Sequence, residues 1–142
     1  MGFLPIKTPP EFTEEVEQWT RETDADGVEM AKEIGKLLNN TIYNKSEAER
    51  LEHVTLVTLT AAGWTGTAAP YIQTVSVSGA KESMEPILVS ALEDGVNEVV
   101  QKAYSKAFGL VSSGTASVGD GTATFKVYKK PVTDIVVGLK GV

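Results

Sequence analysis

The chain changes character at His53, and that change limits the folds open to it. Upstream, charged and helix-forming residues predominate; downstream, Thr, Val, Ser, Gly and Ala do. Helical periodicity ahead of a series of β-branched runs indicates an α+β protein whose helices and strands are partly segregated along the sequence. The expectation is an N-terminal helical arm followed by a small mixed sheet with one long packed helix.

Within the first third, Thr8-Pro9-Pro10-Glu11 has the form of a helix start: a hydroxyl cap, prolines in the first turn, an acid three residues on. It predicts a short helix with Phe12, Val16 and Trp19 on one face. Thr23 or Asp24 would cap a second helix, whose apolar stripe is Met30, Ile34, Leu37, Leu38, Thr41 and Ile42. Asn44-Lys45 breaks that pattern, and Ser46 with Glu49 forms a capping box for a last turn through Leu51. Residues 1–20 thus read as a leading segment with a short helix, 21–53 as the arm, and 54–142 as an α+β head.

In the head, V54-T-L-V-T-L-T60 and Y71-I-Q-T-V-S-V77 have strand character, the second with Tyr71, Gln73, Val75 and Val77 on one face. Residues 86–89 suggest a short third strand. Ala91 to Phe108 is the clearest helix, with Leu92, Val96, Val99, Val100, Ala103 and Ala107 as its stripe. Residues 110–118 and 122–129 read as a hairpin about Gly119-Asp120-Gly121, and 135–140 as the last strand, with Pro131 just before it.

Composition removes several function classes. A length of 142 residues suits one domain, or one domain with an arm. A net charge of -6 without a basic run disfavours nucleic acid as a partner. The absence of cysteine rules out disulfides, zinc-thiolate sites and cysteine nucleophiles. No apolar run is long enough to span a bilayer, and MGFLPIKTPPEF has neither a signal-peptide nor a myristoylation pattern. The expectation is a soluble protein made in a cytoplasm, with no membrane insertion.

Candidate chemistry is sparse. Residues 22–33 can be aligned with a calcium loop, with Glu22, Asp24, Asp26, Gly27 and Glu33 at positions 1, 3, 5, 6 and 12. Glu fits poorly at position 1, Glu29 stands where an apolar residue is usual, and no second loop is present to pair with it. An acid-rich helix start is the better reading. The single histidine, His53, has no glycine elbow around any serine to serve. Glu11, Glu14, Glu15 and Glu17, and likewise Glu93, Asp94 and Glu98, decorate helix starts and solvated faces rather than facing each other across a cleft. Gly119-Asp120-Gly121 lacks the spacing of a phosphate loop. N39-N-T41 and N44-K-S46 match a glycosylation acceptor by chance. No catalytic, cofactor-binding or metal site is expected, and no cofactor; the chain does not read as an enzyme.

Two features carry more weight. Ile34, Leu37, Thr41, Asn44, Ala48 and Leu51 fall at alternating three- and four-residue steps, the seam spacing of a coiled coil. A helix of this length is marginal alone in water, so the stripe must pack on its own domain or on copies of itself. In Gly63-Trp64-Thr65-Gly66-Thr67-Ala68-Ala69-Pro70, the link between two strands is too long for a tight hairpin. Trp64 and Tyr71 there read as a sheet corner sealed by aromatics; the alternative is a ligand platform for stacking on a sugar.

The series T-L-T-A-A-G-W-T-G, A-P-Y-I-Q-T-V-S-V-S-G, G-D-G-T-A-T-F-K-V-Y and K-K-P-V-T-D-I-V-V-G-L-K resembles a module of tailed-bacteriophage structural proteins. Upstream, W-T-R-E-T-D-A-D-G and L-L-N-N-T-I-Y-N-K are similar to its lead-in, so the resemblance spans roughly residues 19–140. It points to fibre or appendage proteins of tail, head or baseplate in phages and prophages of Gram-positive hosts. The resemblance implies a non-enzymatic virion protein, a homotrimer made in the host cytoplasm. Residues 1–20 would dock on a larger phage protein, and Met30, Ile34, Leu37, Leu38 and Thr41 would line the contact between copies. The head would then be presented to the host surface, a glycan being one possible target; a glycan-binding module built on Trp64 and Tyr71 is the alternative function.

Overall fold

The computed structural model describes residues 3–20, 22 and 26–142. The fold is α+β: one long helix, two three-stranded antiparallel sheets and one further helix. The chain falls into two units, one ending at Arg50 and one running from Leu51 to Val142.

In the first unit, residues 3–20 form no regular element, so the short helix expected around Phe12, Val16 and Trp19 is absent. That segment is instead held by side chains of the helix that follows, which offer its backbone hydrogen bonds outside itself. The expected caps Thr23 and Asp24 lie outside the described residues. Helix α1 (Gly27–Glu52) begins with the Asp26 carboxylate accepting from Val28 N–H at 2.7 Å. It continues without a break through Asn44, Lys45 and Ser46. The capping box does not form: the Ser46 hydroxyl donates back to the Tyr43 carbonyl at 2.8 Å, and Glu49 instead lies 3.7 Å from Lys45.

The second unit replaces the expected single mixed sheet with two all-antiparallel ones. Strands β1 (Val54–Leu59), β3 (Ile87–Ser90) and β6 (Ile135–Lys140) form one sheet, with β6 central. Strands β2 (Tyr71–Ser76), β4 (Thr115–Gly119) and β5 (Thr122–Val127) form the other, with β5 central. Register pairs Val57 with Val137 and Leu59 with Ile135 in the first, and Gln73 with Phe125 and Val75 with Ala123 in the second. The β4–β5 hairpin turns at Asp120-Gly121, where Gly121 takes φ +71°.

Helix α2 (Glu98–Ser112) starts seven residues later than its apolar pattern predicts. Gly95 sits at φ +80°, and the Asn97 side chain accepts from Val100 N–H at 3.0 Å, so the start is fixed at a true cap. Glu93 and Asp94 therefore lie outside the helix, and Glu98 occupies its first turn. The buried face shifts with the start: Ala107 and Val111 are buried while Val99 is 77% exposed. A single core collects Val57 and Leu59 from β1, Phe125 and Val127 from β5, Val137 and Leu139 from β6, and this face of α2. The Tyr104 hydroxyl ties the layers by donating to the Val136 carbonyl at 2.9 Å and accepting from Ala91 N–H at 2.8 Å.

Candidate assembly surface

Helix α1 has two faces of opposite use. One is polar and is covered by the leading segment. Asn39, 7% exposed, accepts Lys7 N–H on Oδ1 at 2.8 Å and donates to the Gly35 carbonyl at 2.8 Å. Asn40 clamps Thr13 at both backbone groups, accepting from its N–H at 2.7 Å and donating to its carbonyl at 2.8 Å. Glu33, 2% exposed, accepts Glu17 N–H at 2.9 Å. Phe12 adds a ring contact on Tyr43, with centroids 5.7 Å apart. The segment thus gains from helix side chains the partners that its own backbone does not supply.

The other face is apolar and bare. Met30, Ile34, Leu37, Thr41, Asn44, Ala48 and Leu51 follow the 4-3 spacing without interruption, since the helix is continuous. All seven are exposed, with Ile34 at 46%, Leu37 at 52% and Leu51 at 55%. Leu38, at the margin of the stripe, is half-buried. The Thr41 hydroxyl donates to the Leu37 carbonyl at 2.9 Å, so its hydrogen-bonding need is met within the helix. The seam runs roughly 30 Å along the helix at 1.5 Å per residue. The leading segment adds Phe3, Ile6 and Phe12 to the exposed apolar surface of this unit.

Charge holds the covered face in place. Glu33 lies 2.7 Å from Lys36 Nζ. Its carboxyl is held below the usual glutamate value, first by the Lys36 hydrogen bond and then by the Glu17 N–H, against an opposing cost of burial. Lys36 is raised in turn by the same bond. Both Glu33 oxygens are thereby engaged, Oε2 by Glu17 and Oε1 by Lys36, so the residue that would close a calcium loop serves the segment instead. Among the described residues no cluster of three potential metal ligands occurs; Asp24 lies outside them.

In the second unit, the outer face of the β1–β6–β3 sheet carries a further apolar patch. Leu56 is 65% exposed and Ile87 66%, with Val54 and Val136 beside them. His53 is exposed, and its carbonyl accepts from Gly141 N–H at 3.0 Å. Trp64 is 4% exposed and part of the core, so its indole offers no free face for stacking. Its carbonyl accepts from Lys130 Nζ at 3.1 Å, and the same ammonium lies 4.5 Å from the centre of the Tyr71 ring. These contacts make a closed corner: Trp64 fills it and Lys130 covers Tyr71.

Sequence reasoning finds the stripe but not the clamp opposite it. The signal was the pair Asn39-Asn40 in mid-helix, two poor helix formers whose side chains seek backbone partners. No family model, no curated protein and no solved structure matches this chain.

Proposed function

We propose that the chain is a non-enzymatic structural protein of a phage virion, a short fibre or appendage whose arm self-associates along the α1 seam. One observation carries the self-association: all seven seam positions are exposed on a helix whose opposite face is already covered. A bare apolar strip at coiled-coil spacing is complementary to another copy of itself, since knobs at a and d positions need the holes of an identical helix. The virion setting comes from the sequence resemblance. The leading segment then has two uses. Its backbone stays fastened to α1 while Phe3 and Ile6 stay exposed, available to a larger particle protein. The head is carried at the far end of the chain, where several copies would convert weak contacts with a host surface into avidity.

The resemblance implies three copies. The seam itself favours a second reading of two: counting four-residue steps from d to a, Ile34 and Thr41 take a positions and Leu37 and Leu51 take d. β-branched residues at a with leucine at d is the pattern of parallel two-stranded coils. Asn44, a polar d position, restricts register in either case. Sedimentation equilibrium of the whole chain at micromolar concentration separates these outcomes. A three-chain mass supports the fibre reading and a two-chain mass supports seam dimerisation alone. A monomer overturns both.

A further inference from the structure

The second unit contains a groove that the assembly reading does not use. It has a volume of 470 Å³ and runs between α2 and the connection from β5 to β6. Lys102 and Lys106 reach it from successive turns of α2, and Lys129 and Lys130 from the connection. No carboxylate lines it. In a chain of net charge -6 with 13 basic residues in all, four converge here.

Two of the four are already engaged. Lys102 pairs with Glu98 on the exposed helix surface, and Lys130 is fixed by the Trp64 carbonyl and the Tyr71 ring. Lys106 and Lys129 have no acidic partner among the described residues. Positive charge in a concave site focuses the field there and draws in anions. Leu110 and Val132 give the same groove apolar wall, and Thr133 adds a hydroxyl. A volume of this size suits a small ligand that combines an anionic head with a short organic part.

We propose that this groove binds a phosphate ester of small organic size. Lysine ammonium groups act as point charges, which suits the several oxygens of a phosphate. Planar recognition of a carboxylate favours an arginine fork, and no arginine lines the groove. The inference is independent of the oligomeric state, because every lining residue belongs to the second unit of one chain.

The test is a titration of the full-length protein with glycerol 3-phosphate at low ionic strength, followed by amide chemical shifts. Saturable shifts confined to residues 102–110 and 129–133 are expected. A Lys106→Gln/Lys129→Gln variant should keep its melting temperature and bind at least about tenfold more weakly, the factor of roughly one lost charge-assisted bond. A Lys81→Gln/Lys140→Gln variant, which removes the same charge from outside the groove, should bind as the parent does. Glycerophosphoglycerol separates two sources of the ester. Retained binding assigns a diester carried in a polymer or lipid head group, and lost binding assigns a soluble monoester; both keep the site. The proposal is overturned if butyrate binds as well as glycerol 3-phosphate, if the control variant weakens binding equally, or if shifts scatter over surface lysines without saturating.

Discussion

The carboxylate of Glu33 accepts the backbone N–H of Glu17 at 2.9 Å, across 16 residues of sequence. Glu33 stands four residues before Leu37, at the border of the exposed stripe, so α1 fastens the leading segment with polar side chains while the stripe itself stays free. The geometry makes the arm's two faces separately testable.

Acid should release the leading segment. Glu33 is held below the ordinary glutamate value, so its contribution is fully present above that value and is lost as pH falls through the lower, folded-state value. The positive charges of Lys36 and Lys32 also favour the ionised form of Glu33. The Glu17 amide should therefore exchange faster with solvent in acid, relative to the Ile72 amide, which bonds to the Thr65 carbonyl in the head. Glu33→Gln keeps an acceptor but should remove this pH dependence; an unchanged profile would refute the assignment.

On the proposed self-association along α1, Leu37→Asp should dissociate the oligomer. A charge at a seam centre loses the packing of a leucine, worth about 2–5 kcal/mol, and adds a buried carboxylate on each copy. A rise in the dissociation constant of at least about a hundredfold is expected by sedimentation. Glu29→Ala, off the seam, should leave the mass unchanged, and circular dichroism of the head should be the same in both variants.

Trp64 distinguishes a corner from a binding platform. Removing a buried indole should cost about 3–5 kcal/mol, so Trp64→Ala lowers the melting temperature sharply. Trp64→Phe should cost much less, because the indole N–H is buried and has no hydrogen-bond partner to lose. A Trp64→Ala protein of parental stability would refute the corner.

Glycine is required at 114 for space and at 121 for conformation. A Cβ at Gly114 would lie 2.1 Å from the Lys126 carbonyl oxygen, so Gly114→Ala must displace β5 or the end of α2, at about 3 kcal/mol. At Gly121 the surroundings are open but φ is +71°, so alanine should cost only about 1 kcal/mol. Urea melts of the two variants give the order directly.

Tyr104→Phe should cost about 1–3 kcal/mol, since the Val136 carbonyl and the Ala91 N–H lose a shared partner. The measurement is the urea midpoint at constant m-value.

Strands were legible where alternation was clean. The last strand has the bounds that its apolar run predicts, and Gln73 and Val77 face inward as their parity requires. Helix limits were less so. The stripe at Leu92 and Val96 continues the helical period into residues that Gly95 and Asn97 exclude from the helix. A periodic pattern records which residues tend to be apolar, whereas a cap depends on the local backbone. The supposed break at Asn44-Lys45 failed for the opposite reason: propensities of a few tenths of a kcal/mol per residue do not end a helix that has a covered face.

By itself the sequence determined a long helix ahead of the strands, the hairpin at Asp120-Gly121 and the apolar stripe along α1. Each depends on spacing between near neighbours, which local sterics and the helical repeat translate directly into geometry. Only the tertiary structure decided that six strands divide into two sheets, that Trp64 is enclosed, and that residues 3–20 stay without a regular element while bonded to Glu33, Asn39 and Asn40. Those outcomes depend on partners far apart in the chain, and the free energy of a long-range contact is set by what else competes for the same groups.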